Sequence, residues 1–250
     1  MHKSAYEIGH KFLERYWEKG MENILEVGSL DVNGTLRDFQ PSDSKWIGID
    51  LEPGKGVDIV IERASIFPFE DQSFDLVVAT SIFEHDPMFW ITFNEMVRVT
   101  KDGGFIYVSA PSNGWVHRYP VDVYRFYPDA GRALEEWGMR SRKDLKLQES
   151  FIAEQDGEPW NDFVAIFGLG AKSHANKVYK NTPATNIWHE TEFIEDSLSV
   201  STQDQRKISN LEIQLQELKI SYSIVIESKS WKITGPLRKF FAVLRRVGSK

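Results

Sequence analysis

The chain has 250 residues, 41% of them hydrophobic and 27% charged, the balance of a folded globular domain with an appendage rather than of a disordered chain. It contains no cysteine, which excludes disulfides, thiolate metal ligands and cysteine nucleophiles. No apolar run reaches the roughly 18 residues of a spanning helix, and the N-terminus lacks the apolar core of a signal peptide, so a cytoplasmic protein is expected. The net charge of −7 is uneven: seven bases and no acid follow Glu227, so a basic tail is appended to an acidic body that is a poor partner for nucleic acid.

In chain order, residues 4–19 predict an amphipathic helix opened by a Ser4/Glu7 capping box, with Gly20 just past its end. NILEV (23–27) reads as a short buried strand, followed by a brief helix near 34–39 that stops at Pro41. Strands follow at 46–50 (WIGID), 57–61 (VDIVI) and 74–79 (FDLVVA), then a helix at 88–99. The pair Gly103-Gly104 turns that helix into the strand 105–110 (FIYVSA), and a last helix covers 128–137. Segments 145–151 and 163–168 predict a closing pair of strands. Short, continuous apolar strands separated by helices indicate an open α/β fold, a sheet covered by helices on both faces. A domain of residues 1–170 is thus expected. The polar stretch 171–205 reads as a linker. In 206–228, Ile208, Leu211, Leu215, Leu218, Tyr222 and Val225 recur at heptad spacing, about two and a half repeats. That pattern serves either a self-associating coiled coil or one amphipathic helix docked on the domain. Residues 229–250 form a basic amphipathic tail.

Three residues at strand ends point to a ligand. Gly28 closes the first strand, where a side chain would keep a ligand from the backbone. Glu26 sits in an apolar strand and needs a partner, either a bound cation or a neighbouring base. Asp50 ends the second strand, 22 residues after Gly28, where a carboxylate accepts from both ribose hydroxyls or caps a turn. A dinucleotide fingerprint requires glycines where Leu30 and Asn33 stand, which argues against a nicotinamide cofactor. A nucleoside ligand other than a dinucleotide is expected.

The ordered segments ILEVGSLDVNG, WIGIDLEPGKGVDIV, FPFEDQSFDLVVATSIFEH and MVRVTKDGGFIYVSAP resemble the class I S-adenosylmethionine-dependent methyltransferases, in their small-molecule branch. The resemblance covers about residues 20–140 and implies their Rossmann-like fold, with a mostly parallel seven-stranded sheet. It also implies S-adenosylmethionine as cofactor, held by Glu26, Gly28, Ser29, Leu30, Asp50, Leu51, Ala64 and Thr80. Glu26 and Gly28 would face its methionine part, Asp50 its ribose, and Ala64 with the 67–69 neighbourhood its adenine. This sequence departs from the pattern at Leu30, where the family has a second glycine, and at Arg63, where it has an acid.

In some relatives the segment after the fourth strand reads Glu-x-x-Glu-His and holds a metal. Here Ser81 replaces the first acid, only Glu84 and His85 remain locally, and no metal is expected. The next crevice loop, PSNGWVHRYPVDVYRFYP (111–128), mixes aromatic rings with fixed polar groups, a composition suited to a sugar-like acceptor. Trp115, Arg118, Tyr119, Tyr124 and Arg125 are the expected acceptor contacts, and His117 is the expected base, with His85 and Asp122 as competitors. The tail phrase SKSWKITGPLR resembles endings found on enzymes of bacterial surface-polysaccharide synthesis. The expected activity is O-methylation of a glycan sugar; the alternative is a degenerate methyltransferase-like assembly partner. The tail is expected at an anionic membrane surface or on a partner protein, and 206–228 in a homo-oligomer contact.

Overall fold

A computed structural model of the chain describes residues 2–170, 173–238 and 240–241. Its contacts divide it into a compact unit ending at Ser199 and a second beginning at Val200.

The first unit opens with α1 (Lys3–Tyr16), whose apolar stripe buries Ile8, Phe12, Leu13 and Tyr16. Its expected capping box does not form: His2 takes the N-cap position, and the Ser4 hydroxyl instead donates to Asp162 at 2.6 Å. Then come β1 (Asn23–Val27), β2 (Lys45–Asp50), β3 (Ile59–Val60), β4 (Phe74–Thr80), α2 (Phe89–Val99), β5 (Thr100–Pro111), α3 (Asp129–Gly138), β6 (Leu145–Ala153), β7 (Asp162–Leu169), β8 (Ala184–His189) and β9 (Glu192–Phe193). The strands form one sheet in the order β3-β2-β1-β4-β5-β7-β6-β8-β9. Strands β3, β2, β1, β4 and β5 run parallel, and β7, β6, β8 and β9 continue the sheet antiparallel.

The continuous apolar strands follow from two buried faces. Ile24, Leu76, Val78, Phe105 and Tyr107 pack with α1 on one side. Their neighbours Leu25, Val77, Ile106 and Val108 pack with Phe93 and Leu134, of α2 and α3, on the other. Period-two alternation thus leaves no polar face. The strand order reverses at β1, flanked by β2 and β4, and registers such as Val27↔Ile49 and Val27↔Ala79 align the carboxyl ends of these strands on one edge. Ligands of open α/β sheets enter at that edge and that reversal.

The sheet exceeds the seven strands expected, because the predicted 171–205 linker largely folds. Its β8 pairs with β6, and its polar residues satisfy backbone rather than water: Asn186 and Ser199 exchange two hydrogen bonds, and Ser197 Oγ accepts from Ile187 N. The segment is also tied to the core. Glu149, fully buried on β6, accepts from Tyr16 Oη at 2.6 Å and from the amides of Val178 and Tyr179 at 2.9 Å. A chain ending at Gly170 strips two backbone donors from this buried carboxylate and is expected to lose at least about 3 kcal/mol, at roughly 1.5–3 kcal/mol for each hydrogen bond to a charged group. A chain ending at Ser199 is expected to melt like the full-length protein. Equal melting temperatures for the two truncations, followed by circular dichroism, would return 171–199 to linker status.

In the second unit, α4 (Gln203–Glu227) begins with a capping box in which Thr202 Oγ1 accepts from Gln205 N and Gln205 Oε1 from Thr202 N. The six seam residues are helical and all at least half exposed. Ile213, Ile220 and Ile224 lie off the seam, so apolar side chains are spread round the helix rather than confined to one stripe. The short helix α5 (Lys229–Ile233) follows, with the Arg238 guanidinium over the Trp231 ring at 3.6 Å. Lys239, Arg245, Arg246 and Lys250 of the basic tail lie outside the described residues.

Candidate active site

A cleft of about 760 Å³ opens at the carboxyl edge of the parallel strands, lined by the turns after β1, β2 and β4 and by the loop after β5. Gly28 stands at its floor with φ of +77°. A Cβ there would meet Ile82 Cγ2 at 1.9 Å, so the glycine admits the chain that follows β4 as well as leaving the backbone bare. Two non-glycine residues of the wall, Ala64 and Ser81, also hold left-handed φ values of 54° and 55°. Such strain persists only where surrounding structure imposes it.

All eight residues expected to hold the cofactor, Glu26, Gly28, Ser29, Leu30, Asp50, Leu51, Ala64 and Thr80, line this cleft, as does Phe67. Their roles differ. Glu26 already has partners, because Thr35 Oγ1 donates to its carboxylate at 3.0 Å and Trp46 Nε1 at 2.9 Å. Burial raises its pKa while these donors oppose the rise, and no bound cation is required to explain its position. Asp50 takes the amide of Leu30 on one oxygen and those of Leu51 and Glu52 on the other, which fixes its carboxylate. Ser29 Oγ and Thr80 Oγ1 are buried with no hydrogen-bond partner among the described residues. Leu30 fills the space beside Gly54, where a Cβ would approach it to 2.3 Å.

Another part of the lining joins two segments distant in sequence. Glu84 is 1% exposed, and neither of its carboxylate oxygens has a hydrogen-bond partner among the described residues. Desolvation pushes its pKa up to about 8. His85 donates from Nδ1 to the Val121 carbonyl at 2.5 Å, which leaves Nε2 bearing the lone pair, 3.6 Å from Glu84 Oε1. Burial lowers the His85 pKa. His117 arrives from the loop after β5, its ring centre 4.9 Å from that of His85. The loop is pinned here by Val123 N, which donates to the Glu84 carbonyl at 2.7 Å.

The remaining predicted residues separate into wall and frame. Arg118 and Tyr119 line the cleft with His85 and His117. Trp115, strongly exposed, lies beside it with its ring against that of Trp160, which also meets the rings of His117 and His2. Asp122, Tyr124 and Arg125 do not reach the cleft lining. Arg125 grips Asp122 through both oxygens, holding its carboxyl down at about 2, and also donates to the carbonyls of Asn113 and Trp115. Asp122 in turn accepts the His117 amide at 2.8 Å. This pair clamps the loop, so Asp122 is no free base and Arg125 no free acceptor contact. Tyr124 is likewise committed, donating to the Pro87 carbonyl at 3.2 Å and packing on Phe89.

Glu84 entered the sequence analysis only beside His85, as the remnant of a metal motif, and Trp160 and His2 lie outside the expected site. An acid in the apolar run IFEH marks Glu84, whereas Trp160 and His2 carry no local signal and are brought in by the edge of β7 and by α1.

Residues 25–108 match a family described as a methyltransferase domain. The chain is 29% identical over 154 residues to an uncharacterized methyltransferase of Mycobacterium leprae, spanning 55% of this chain and 56% of that protein. It is 28% identical over 171 residues to the ubiquinone/menaquinone biosynthesis C-methyltransferase of Laribacter hongkongensis, spanning 66% and 65%. The chain therefore matches between 56% and 65% of the length of these relatives. A solved SAM dependent methyltransferase from Aquifex aeolicus is similar at 18% identity and a TM-score of 0.46, over 66% of this chain and 93% of that one. The match to that family spans residues 25–108, from β1 into β5, about a third of the chain.

Proposed function

We propose that this chain transfers a methyl group from S-adenosylmethionine to a hydroxyl of a polar, ring-shaped acceptor, a sugar of a bacterial surface polysaccharide or its precursor. One observation carries the reading: a single cleft presents unpartnered hydroxyls after β1 and on β4 and, elsewhere in its lining, an unpartnered carboxyl with two imidazoles. The first set fits the cofactor. Ser29 Oγ and Thr80 Oγ1 lack partners among the described residues, and Asp50 is oriented by three amides, of which Oδ2 takes only one and so stays open to a ribose hydroxyl. When bound, S-adenosylmethionine supplies a methyl carried on a cationic sulfur.

The chain's own tasks are to align the acceptor, exclude water and accept one proton for each methyl transferred. Trp115 and Tyr119 offer aromatic faces and Arg118 a fixed charge, the set that suits a sugar ring. The hydroxyl proton is received at the imidazole of His117 or of His85, which line the same cleft, whereas Glu84, pushed up to about 8 by burial, is no base at neutral pH. The second unit we read as an assembly element, with α4 pairing copies of the chain and the basic tail meeting an anionic membrane surface. No helix among the described residues is long and apolar enough to cross a membrane.

Calorimetry with S-adenosylmethionine tests the cofactor, and incubation of the labelled cofactor with nucleotide sugars and lipid-linked glycans, read for a mass gain of one methyl, tests the acceptor. Asp50→Ala is expected to weaken cofactor binding by roughly 2–3 kcal/mol, the scale of charge-assisted hydrogen bonds to both ribose hydroxyls. An unchanged dissociation constant in a folded variant removes Asp50 from the ribose. No binding by the unaltered chain leaves the degenerate assembly partner as the reading.

A further inference from the structure

We propose that Glu84, His85 and His117, which line the same cleft as the proposed cofactor contacts, bind one divalent first-row cation of the zinc, manganese or cobalt type. The carboxylate and the two imidazoles each bring one donor atom within 4.8 Å of the other two. Ligands about 2.1 Å from a tetrahedral metal stand roughly 3.4 Å apart, and Glu84 Oε1 and His85 Nε2 are already at 3.6 Å. Two further features point to a ligand. Glu84 is buried, yet both its oxygens lack hydrogen-bond partners among the described residues, a costly arrangement that a bound cation offsets. The Nδ1–H of His85 is held by the Val121 carbonyl, the outer support that aims the other ring nitrogen of a metal-bound histidine.

The donor set selects the ion. Two nitrogens and one oxygen suit borderline cations, whereas magnesium and calcium prefer oxygen throughout. The nearest cation, Arg125, is 3.5 Å from His117 Nδ1 but is neutralised by its two-point contact with Asp122, and Arg63 pairs with Asp86. Three protein ligands leave a coordination position open, and all three residues line the cleft, so the open position faces the acceptor. An acceptor hydroxyl bound there is acidified and loses its proton to solvent, since the three side chains then serve as ligands; its oxygen forms the bond to the methyl carbon as the sulfur–methyl bond breaks and S-adenosylhomocysteine leaves. This consequence rests on the methyl-transfer reading; the binding does not. Counting ligands along the sequence stops at Glu84 and His85, and the fold supplies the third.

Full-length protein stripped with a chelator and titrated with Co²⁺ is expected to take up one ion per chain with visible ligand-field bands, and Zn²⁺ is expected to displace it. Glu84→Gln, His85→Gln and His117→Gln should each weaken uptake at least about tenfold. S-adenosylhomocysteine binding by calorimetry, retained in each variant, confirms that the fold persists. Absent stoichiometric uptake, or uptake undiminished in all three variants, overturns the site. Cofactor binding without cation binding removes this proposal and keeps the methyltransferase reading; cation binding without cofactor binding does the reverse.

Discussion

Replacing His117 by alanine is expected to lower turnover by about two to four orders of magnitude while leaving cofactor affinity unchanged, the range for losing a group that handles the acceptor proton. The geometry behind this is specific. His117 lines the cleft with His85 and Glu84 and is not among the proposed cofactor contacts Ser29, Asp50 and Thr80, so its removal leaves those contacts in place. Two comparisons calibrate it. His85→Ala should approach the same loss, because its Nε2 faces Glu84 from within the same cluster. Asp122→Asn should act indirectly, since Asp122 is spent on Arg125 and on the His117 amide and reaches the site only through the loop it fastens. Single-turnover rates with saturating cofactor separate these cases. A severe loss in Asp122→Asn beside a mild one in His117→Ala would mean that loop order, and not the imidazole, governs the reaction.

The largest stability effect is expected at Gly28. Alanine there must hold a φ of +77°, a left-handed conformation costing roughly 1–2 kcal/mol for a residue with a Cβ. Its methyl also lands 1.9 Å from Ile82 Cγ2, and such overpacking costs about 1–3 kcal/mol more. Gly28→Ala should thus lose about 2–5 kcal/mol in urea denaturation. Adding Ile82→Ala removes the clash but not the backbone strain, so the two changes should couple favourably by about 1–3 kcal/mol in a double-mutant cycle. If the cycle shows no coupling, the glycine serves ligand approach alone and the contact with Ile82 is incidental.

The parallel half of the sheet was legible because its strands are buried on both faces. That burial forces unbroken runs such as FDLVVA and FIYVSA, and only glycines, prolines and polar turns separate them. Gly28 and Asp50 were legible for a related reason: they terminate strands, and the ends of parallel strands form the ligand edge. The 171–205 segment misled because its polar residues resemble a linker in composition, whereas their hydrogen bonds go to β6, to buried Glu149 and to one another. Composition records how polar a segment is, not where its polar groups point.

The sequence by itself determined the α/β class, the switch-point edge and the residues at the strand ends, since local periodicity and turn chemistry encode each of these. Only the tertiary structure decided which distant groups meet there. Glu26 gained Trp46 from the neighbouring strand and so lost its need for a bound cation. Trp160 came in beside β7 to close the aromatic wall. His117 reached Glu84 and His85 because Val123 N bonds the Glu84 carbonyl, His85 bonds the Val121 carbonyl, and the Arg125–Asp122 pair holds the loop between them. Contacts of this kind join residues far apart in the chain through hydrogen bonds that leave no periodic trace, which is why no reading along the sequence finds them.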